Sequence, residues 1–226
     1  MINSFWKGDP NSVVEMDNID SSRIEMQEIP HKLAKDIIIK NHYSHTFPAA
    51  ELYLGFYIDG KLNTVVLYGQ STASKMADSL PGKYWELVRL FSFDWAGKNM
   101  ESYCIGKSIR YIKEKYKNIK VLVSFADPEQ GHDGTIYQAT NWLYCGKSQP
   151  DEWYIVDGEK IHPRSMVAKY GTRGETKLKQ LGVNFKRKKL HGKHRYIYIL
   201  GSNKSEKNFL KKNLQYEILP YPKGEN

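Results

Sequence analysis

Only two cysteines, Cys104 and Cys145, occur in 226 residues. That is too few for a disulfide framework, and they lack the paired spacing of a structural zinc site, so both are expected in the core. Long hydrophobic runs are also missing. Stretches such as Val121 to Val123 fall far short of the roughly 20 apolar residues needed to cross a bilayer, and Lys7, Asp9 and Glu15 stand where a secretory segment would be apolar. The expected address is a reducing cytoplasm, with no membrane attachment. Proline is sparse at nine residues and no repeat is evident, whereas 40% of the chain is hydrophobic and 13% aromatic. A disordered or fibrous protein is thereby excluded, and one globular domain with a small appendage fits the length.

Acidic residues are scarce in one place. Residues 1–156 hold 17 Lys+Arg against 19 Asp+Glu, net −2, while 157–226 hold 17 against 6, net +11. The densest point is Lys186-Arg187-Lys188-Lys189, followed by His191, Lys193, His194 and Arg195. A polyanion is the natural partner of such a run, because each neutralised phosphate releases condensed counterions. A solvated cationic face that keeps the protein soluble is the competing reading of the same charge.

Residues 1–30 are polar and aperiodic and read as an arm or edge strand, followed by a single domain over 31–226 whose portion 157–226 is the basic part. Lys32 to Lys40 predicts a helix that leaves Asn41-His42-Tyr43-Ser44-His45 in a loop. Glu51–Ile58 and Leu62–Gly69 predict two strands joined at Asp59-Gly60, a tight hairpin turn. Trp85–Phe93 predicts a third strand, Met100–Tyr116 a helix and Val121–Phe125 a short buried strand. A second helix is expected from about Thr135 to Leu143, stopped by Gly146. Strand, helix, strand, helix implies an α/β sheet with an antiparallel front half and a parallel crossover, and ligands are expected beyond Phe93-Asp94 and Ala126-Asp127. The basic third predicts a hairpin over Trp153–Ile161, a helix from about Gly174 to Leu181, a strand over Arg195–Leu200 and a terminal helix around Glu206 to Leu214. It is expected to continue the same sheet.

The densest polar cluster runs from Ser124 through Asp127, Gly131, His132, Asp133, Gly134, Thr135, Tyr137 and Asn141 to Trp142. A loop with Asp, His and two glycines between a buried strand and a helix start is a common seat of function. Gly131, Gly134 and Thr135 would present backbone N–H groups to a carboxylate, phosphate or developing oxyanion of a donor, unless Asp127 or Asp133 merely caps the helix. His42, Tyr43 and His45 offer a general base, a metal-ligand set together with Asp127, or a stacking surface. Glu86 and Arg89 are three apart in a strand pattern, so they point to opposite faces, and Arg89 is the better candidate to reach a site. Tyr53, Tyr57, Trp85, Trp142 and Tyr144 could supply π-faces to a nucleobase, or simply fill the core.

Four segments are recognisable together: Asn-His-Tyr-Ser at 41–44, Glu-Leu-x-Arg-Leu at 86–90, Ser-x-Ala-Asp at 124–127 and Gly-His-x-Gly-Thr-Ile-Tyr-Gln-Ala-x-Asn-Trp-x-Tyr-x-Gly at 131–146. With Pro-Tyr-Pro-Lys at 220–223, the chain from about residue 30 onward resembles the Mom family of bacteriophage DNA adenine-modification proteins. The resemblance implies a GNAT-like acyltransferase fold. It also implies conversion of adenine in DNA to N6-carbamoylmethyladenine in the host cytoplasm, which protects phage DNA from restriction. Carried over by position, it places His42, Tyr43, Ser124, Asp127, His132, Tyr137 and Asn141 in or beside the active site. DNA contacts would then fall to Arg89, Trp85, Trp142, Lys186, Arg187, Lys188, Lys189 and Arg195. GNAT enzymes usually grip the pyrophosphate of coenzyme A with a glycine-bearing turn opening a helix, and Asn99–Ser108 keeps only Gly106 of it, which counts against acyl-CoA as donor.

A carbamoylmethyl group has the atoms of a glycyl group connected the other way round. An acyltransferase could therefore attach activated glycine to N6, after which the free amine attacks ring carbon C6 and the two nitrogens exchange places. Aminoacyl-tRNA is one source of such a donor and would also use the basic third; Fe(II) held by His42, Tyr43 or His45 and Asp127 is the redox alternative. Asp127 or His132 would act as base. Two other classes compete with this reading: a GNAT-like N-acyltransferase acting on protein or small-molecule amines, and a non-catalytic DNA-binding protein.

Overall fold

The computed structural model describes residues 20–70 and 74–222. Most of the expected N-terminal arm, together with Lys223 of the terminal Pro-Tyr-Pro-Lys, lies outside them. Seven strands form a mixed sheet in the spatial order β1 (Ile24–Glu28), β2 (Leu52–Ile58), β3 (Lys61–Gly69), β4 (Tyr84–Ser92), β5 (Val121–Ala126), β10 (His194–Ile199) and β6 (Leu143–Lys147). β1 to β4 are antiparallel neighbours. Asp59 and Gly60, at φ 49° and 75°, turn β2 into β3 with both central residues left-handed, the hairpin geometry expected of that dipeptide. Alternation along β2 sends Leu52, Leu54, Phe56 and Ile58 into the main core. It sends Tyr53 and Tyr57 toward the opposite face, which is covered by α1 (His31–Asn41).

α2 (Ser74–Ala77) is a single turn before β4, and α3 (Met100–Lys115) is the crossover from β4 to β5. The helix buries Met100, Cys104, Ile105, Ile109 and Ile112, one stripe at 3.6-residue spacing; each of the larger side chains contributes roughly 1.5–3 kcal/mol. Both cysteines are free and buried, and burial raises their thiol pKa values, that of Cys145 to about 11.

One sequence expectation fails here. The second helix, α4, spans only Thr135–Gln138, because Asn141 turns left-handed at φ 61° and Leu143–Lys147 departs as β6. β6 joins the main sheet through β10, which lies between it and β5, antiparallel to both.

The basic third continues the main sheet only through β10. β7 (Glu152–Val156), β8 (Glu159–Ile161) and β9 (Phe185–Lys189) form a separate three-stranded sheet in the order β8-β7-β9. Together with α5 (Pro163–Tyr170) and α6 (Glu175–Gln180) it encloses its own core of Tyr154, Val156, Met166 and Leu178. The module is inserted between β6 and β10, whose ends Lys147 and His194 are paired. Its neck is tight: Ser148 and Lys193 exchange hydrogen bonds of 2.8 and 2.9 Å, and a Cβ on Gly192 would stand 1.9 Å from the Ser148 carbonyl oxygen. Only glycine fits there. The chain ends on α7 (Lys204–Lys212) and a tail in which Leu219 pairs with Tyr144 and the Tyr221 hydroxyl donates to the Trp142 carbonyl.

Candidate active site

β4 and β5 pair in parallel over three residues only, Tyr84–Glu86 against Val121–Val123. Beyond that point β4 stays with β3 and β5 with β10, so the sheet splits. Ser124 is the first β5 residue past the last pair; its hydroxyl lies 3.2 Å from the Leu87 carbonyl and 2.8 Å from the Tyr137 hydroxyl. A side chain thus ties the strands where main-chain pairing stops. The opening is a cleft of about 610 Å³ whose wall includes His42, Tyr43, Glu86 to Ser92, Glu101, Phe125 to Asp127, Gly131 to Tyr137 and Lys193.

A β-bulge reshapes that wall. The β3–β4 register slips between Leu67 opposite Arg89 and Tyr68 opposite Leu87, leaving Val88 as the extra residue, and one extra residue reverses the alternation beyond it. Leu87 and Leu90 consequently face the same core despite being three apart. Glu86 and Arg89 therefore share the other face and both line the cleft, contrary to the expectation that only one would. Arg89 donates to the Thr46 hydroxyl at 2.7 Å and to the Val88 carbonyl at 2.6 Å. Burial lowers its pKa, and the Tyr43 hydroxyl and Glu86 oppose that shift.

His42 is buried at the end of α1. Its Nδ1 accepts the Ser44 N–H at 3.1 Å, which places the ring proton on Nε2. Burial first, then Arg89, His45 and His132, hold its pKa down to about 4. At neutral pH it is an uncharged donor, not a base. Tyr137 is likewise a neutral phenol: burial pushes its pKa up to about 12, against the Ser124 hydrogen bond. Tyr43, 53% exposed, stands at the mouth with its ring 6.3 Å from that of His132. Asp127 sits on the rim, one oxygen accepting the Glu129 N–H at 3.0 Å and the other 3.2 Å from the Lys193 ammonium.

Several expected roles do not survive. Trp85 and Trp142 are 3% and 0% exposed in the main core and present no face to a ligand. The loop N–H groups are largely consumed, with Gly131 donating to Pro128, His132 to Asp127 and Thr135 to the Asp133 carboxylate. Gly131 and Thr135 are thus spent within the loop: Asp133 accepts from just ahead of the N-cap Gly134, and Asp127 caps the turn Pro128–Gln130. Gly134 is required for another reason: at φ 90°, a Cβ there would meet the Tyr196 ring at 2.2 Å. Asn141 is exposed and forms the turn after α4, away from the cleft lining. Arg195 donates to the Cys145 carbonyl and lies over the Tyr216 ring, a packing role. Within the basic run, Arg187 is spent on Glu152 and Glu175.

The metal set does not assemble. Nδ1 of His45 is 3.0 Å from the Ile39 carbonyl and Nδ1 of His42 is taken by Ser44. Among the described residues no group of three or more His, Cys, Asp or Glu is placed to hold a metal ion, and Fe(II) is not assigned a site. Gly106 lies inside α3 rather than in a turn opening it. A second groove, about 370 Å³, runs beside it between Lys98, Asn99, Ser102, Tyr103, Arg110 and Thr140.

The family model of the Mom protein family matches residues 23–223. The chain belongs to the Mom family. It is also 31% identical over 211 residues, 90% of this chain and 85% of the relative, to the protein named methylcarbamoylase mom of Escherichia phage Mu. Solved structures with similar chain arrangement include a Staphylococcus aureus N-acetyltransferase, at 14% identity and TM-score 0.44 over 78% of this chain and 97% of that one. Another is a Vibrio cholerae spermidine N-acetyltransferase in complex with CoA and spermine, at 10% identity and TM-score 0.46 over 83% and 99%. No helix among the described residues of this Mom-family chain is long and apolar enough to cross a membrane. The residues that sequence reasoning left out of the site are Glu86 and Glu101 in the cleft wall and Thr46, which anchors Arg89; the bulge hid the first, no local signal marks the other two, and Lys193 was legible only as part of the basic run.

Proposed function

We propose that this Mom-family chain modifies adenine in DNA, converting it to N6-carbamoylmethyladenine, and that the split between β4 and β5 is the reaction site. Membership of the Mom family carries the assignment, and the cleft is a chemically suitable place for it. Its volume admits an everted purine, and Tyr43 and His132 at the mouth take the stacking role that Trp85 and Trp142 cannot. The protection of DNA from restriction and the action in the host cytoplasm follow from the same reading.

Adenine N6 is a weak nucleophile, since its lone pair is delocalised into the ring. The site must therefore accept a proton from N6 and stabilise negative charge on the acyl oxygen. Donors that stay protonated at neutral pH line one region: Nε2–H of His42, the phenol of Tyr137 and the Arg89 guanidinium. They replace the spent loop N–H groups as oxyanion donors, each worth on the order of 3 kcal/mol in comparable acyl transfers. Glu86, whose charge acts on both Arg89 and Tyr137, is the proton acceptor. Asp127, held by Lys193 and the Glu129 amide, shapes the rim.

With activated glycine as donor, N6 gains the glycyl carbonyl while Glu86 takes the N6 proton and passes it to the departing leaving group. The free glycyl amine then attacks C6, and the former N6 leaves as the primary amide nitrogen. Atoms balance without an oxidant. Aminoacyl-tRNA supplies such a donor, and the groove beside Lys98 and Arg110 offers cationic groups to a phosphate-bearing one.

Mass spectrometry of nucleosides from DNA of cells expressing the protein tests the assignment, the expected product being an adenosine derivative heavier by one glycyl unit. Unmodified DNA alongside acylated protein or polyamine would favour the N-acyltransferase alternative instead. Labelling the adenine N6 nitrogen tests the route: the label should appear in the side-chain amide, and finding it still on the ring would refute the exchange.

A further inference from the structure

The inserted module has two unlike faces. Tyr154, Val156, Ile161 and Phe185 point to the side covered by α5 and α6, where they pack on Met166 and Leu178. Arg187 lies on that side too, 5.6 Å over the Tyr154 ring and paired with Glu152. Strand alternation sends the intervening residues to the other face. Lys160 and Lys186 flank Ile155 there, and Lys188 sits opposite Trp153. Lys160 is 4.9 Å over the Trp153 ring, and His162 meets the same ring edge-on at 5.0 Å. This face therefore carries three exposed lysines around a half-buried tryptophan, without a covering helix of its own module.

The face is continuous with the cleft. Lys188 reaches Glu129 at 3.5 Å, His191 reaches the same carboxylate at 3.0 Å, and Lys193 reaches Asp127 at 3.2 Å. Asp127 and Glu129 belong to the turn that follows β5 and borders the opening. The module as a whole, residues 148–193, holds 11 Lys+Arg against 5 Asp+Glu, so its positive potential begins at the rim.

We infer that the α5- and α6-free face of the inserted sheet docks the phosphate backbone of duplex DNA beside the target adenine, with Lys160 and Lys186 as phosphate contacts and Trp153 as the platform that holds Lys160 in place. The inference rests on DNA being the substrate. Only half of the basic run serves it, since Arg187 is spent inside the module. Phosphate contacts of this kind fix orientation without reading sequence, so the contribution is uniform across targets.

The test is DNA affinity of the full chain against salt for wild type, Lys160→Glu with Lys186→Glu, and a control of equal charge change, Lys169→Glu with Lys177→Glu, on α5 and α6. Loss of two phosphate contacts lowers the slope of log affinity against log salt by roughly 1.8 and weakens binding by roughly ten- to a hundredfold near 0.1 M salt. The control changes both far less. Equal losses in the two double variants, or no loss in the first, would overturn the proposal, as would a loss confined to RNA of the same length. Nucleoside analysis of the wild type separates the two levels: modified adenosine with an unaffected Lys160/Lys186 variant sinks the docking face alone, whereas its absence sinks the DNA reading and the face with it.

Discussion

The cleft and the inserted sheet are both polar, yet they are built in opposite ways. Deep in the cleft three ionisable groups are held by specific partners: Arg89 by Thr46 and Val88, His42 by Ser44, Tyr137 by Ser124. On the inserted face the lysines are exposed and stand on strands backed by a small core of four buried side chains. The first arrangement fixes protonation states and directions, as acyl transfer requires. The second presents charge that adapts to a flexible polyanion. Substitutions in the cleft should therefore alter turnover, and substitutions on the insert should alter affinity and its salt dependence.

The largest expected effect belongs to the cleft. Glu86→Gln removes the proposed proton acceptor while keeping shape, and the rate of adenosine modification should fall roughly 10²–10⁴-fold with DNA affinity unchanged. Asp127→Asn, a rim change, should cost much less. The reverse ranking would transfer the role to Asp127.

Next comes the joint between the two regions. Gly192→Ala forces the Ser148 and Lys193 strands apart, because a backbone oxygen occupies the space of the new methyl group. Chemical denaturation should show about 1–3 kcal/mol lost, along with weaker DNA binding. An unchanged unfolding midpoint would show that the neck is looser than the hydrogen bonds imply.

A pH experiment isolates the cleft frame. His42 titrates at about 4 in the folded protein, below the 6.5 of an unperturbed imidazole. Between those values the unfolded chain binds the extra proton, so folding stability rises with pH across the window and is lost on acidification. The swing should be roughly 2 kcal/mol after allowance for partial solvent access, and His42→Asn should flatten it. The smallest effect belongs to the insert: Arg187→Ala removes partly exposed ion pairs worth less than about 1 kcal/mol and should leave the salt slope of DNA binding as it was, in contrast to Lys186.

The same contrast explains what could be read from the residues alone. The β2–β3 hairpin, α3 and β5 were legible because alternation, helical spacing and the Asp59-Gly60 turn each act locally. β9 was not: apart from Phe185 it is Lys-Arg-Lys-Lys, with no apolar alternation, and only pairing with β7 makes it a strand. α5 carries a proline start and no strong apolar stripe, and the insertion itself is a long-range event that depends on β10 returning beside β5.

Within the site, His42, Tyr43, Asp127, His132 and Tyr137 are legible from residue type together with the Mom resemblance, and the fold brings them to one cleft. Unbroken strand alternation puts Glu86 and Arg89 on opposite faces, and the bulge at Val88 that brings them together is visible only in the register with β3. A stacking role for Trp85 and Trp142 rests on chemistry that any aromatic can supply; packing, which composition does not encode, puts them in the core.

The most direct test of the account is the modified-adenosine content of DNA from cells expressing either the wild type or Arg89→Ala at equal protein level, with circular dichroism confirming that the variant is folded. The account predicts N6-carbamoylmethyladenosine with the wild type and none above background with the variant. Equal content in both would contradict a reaction centred on the β4–β5 split, and its absence from both would contradict the activity itself.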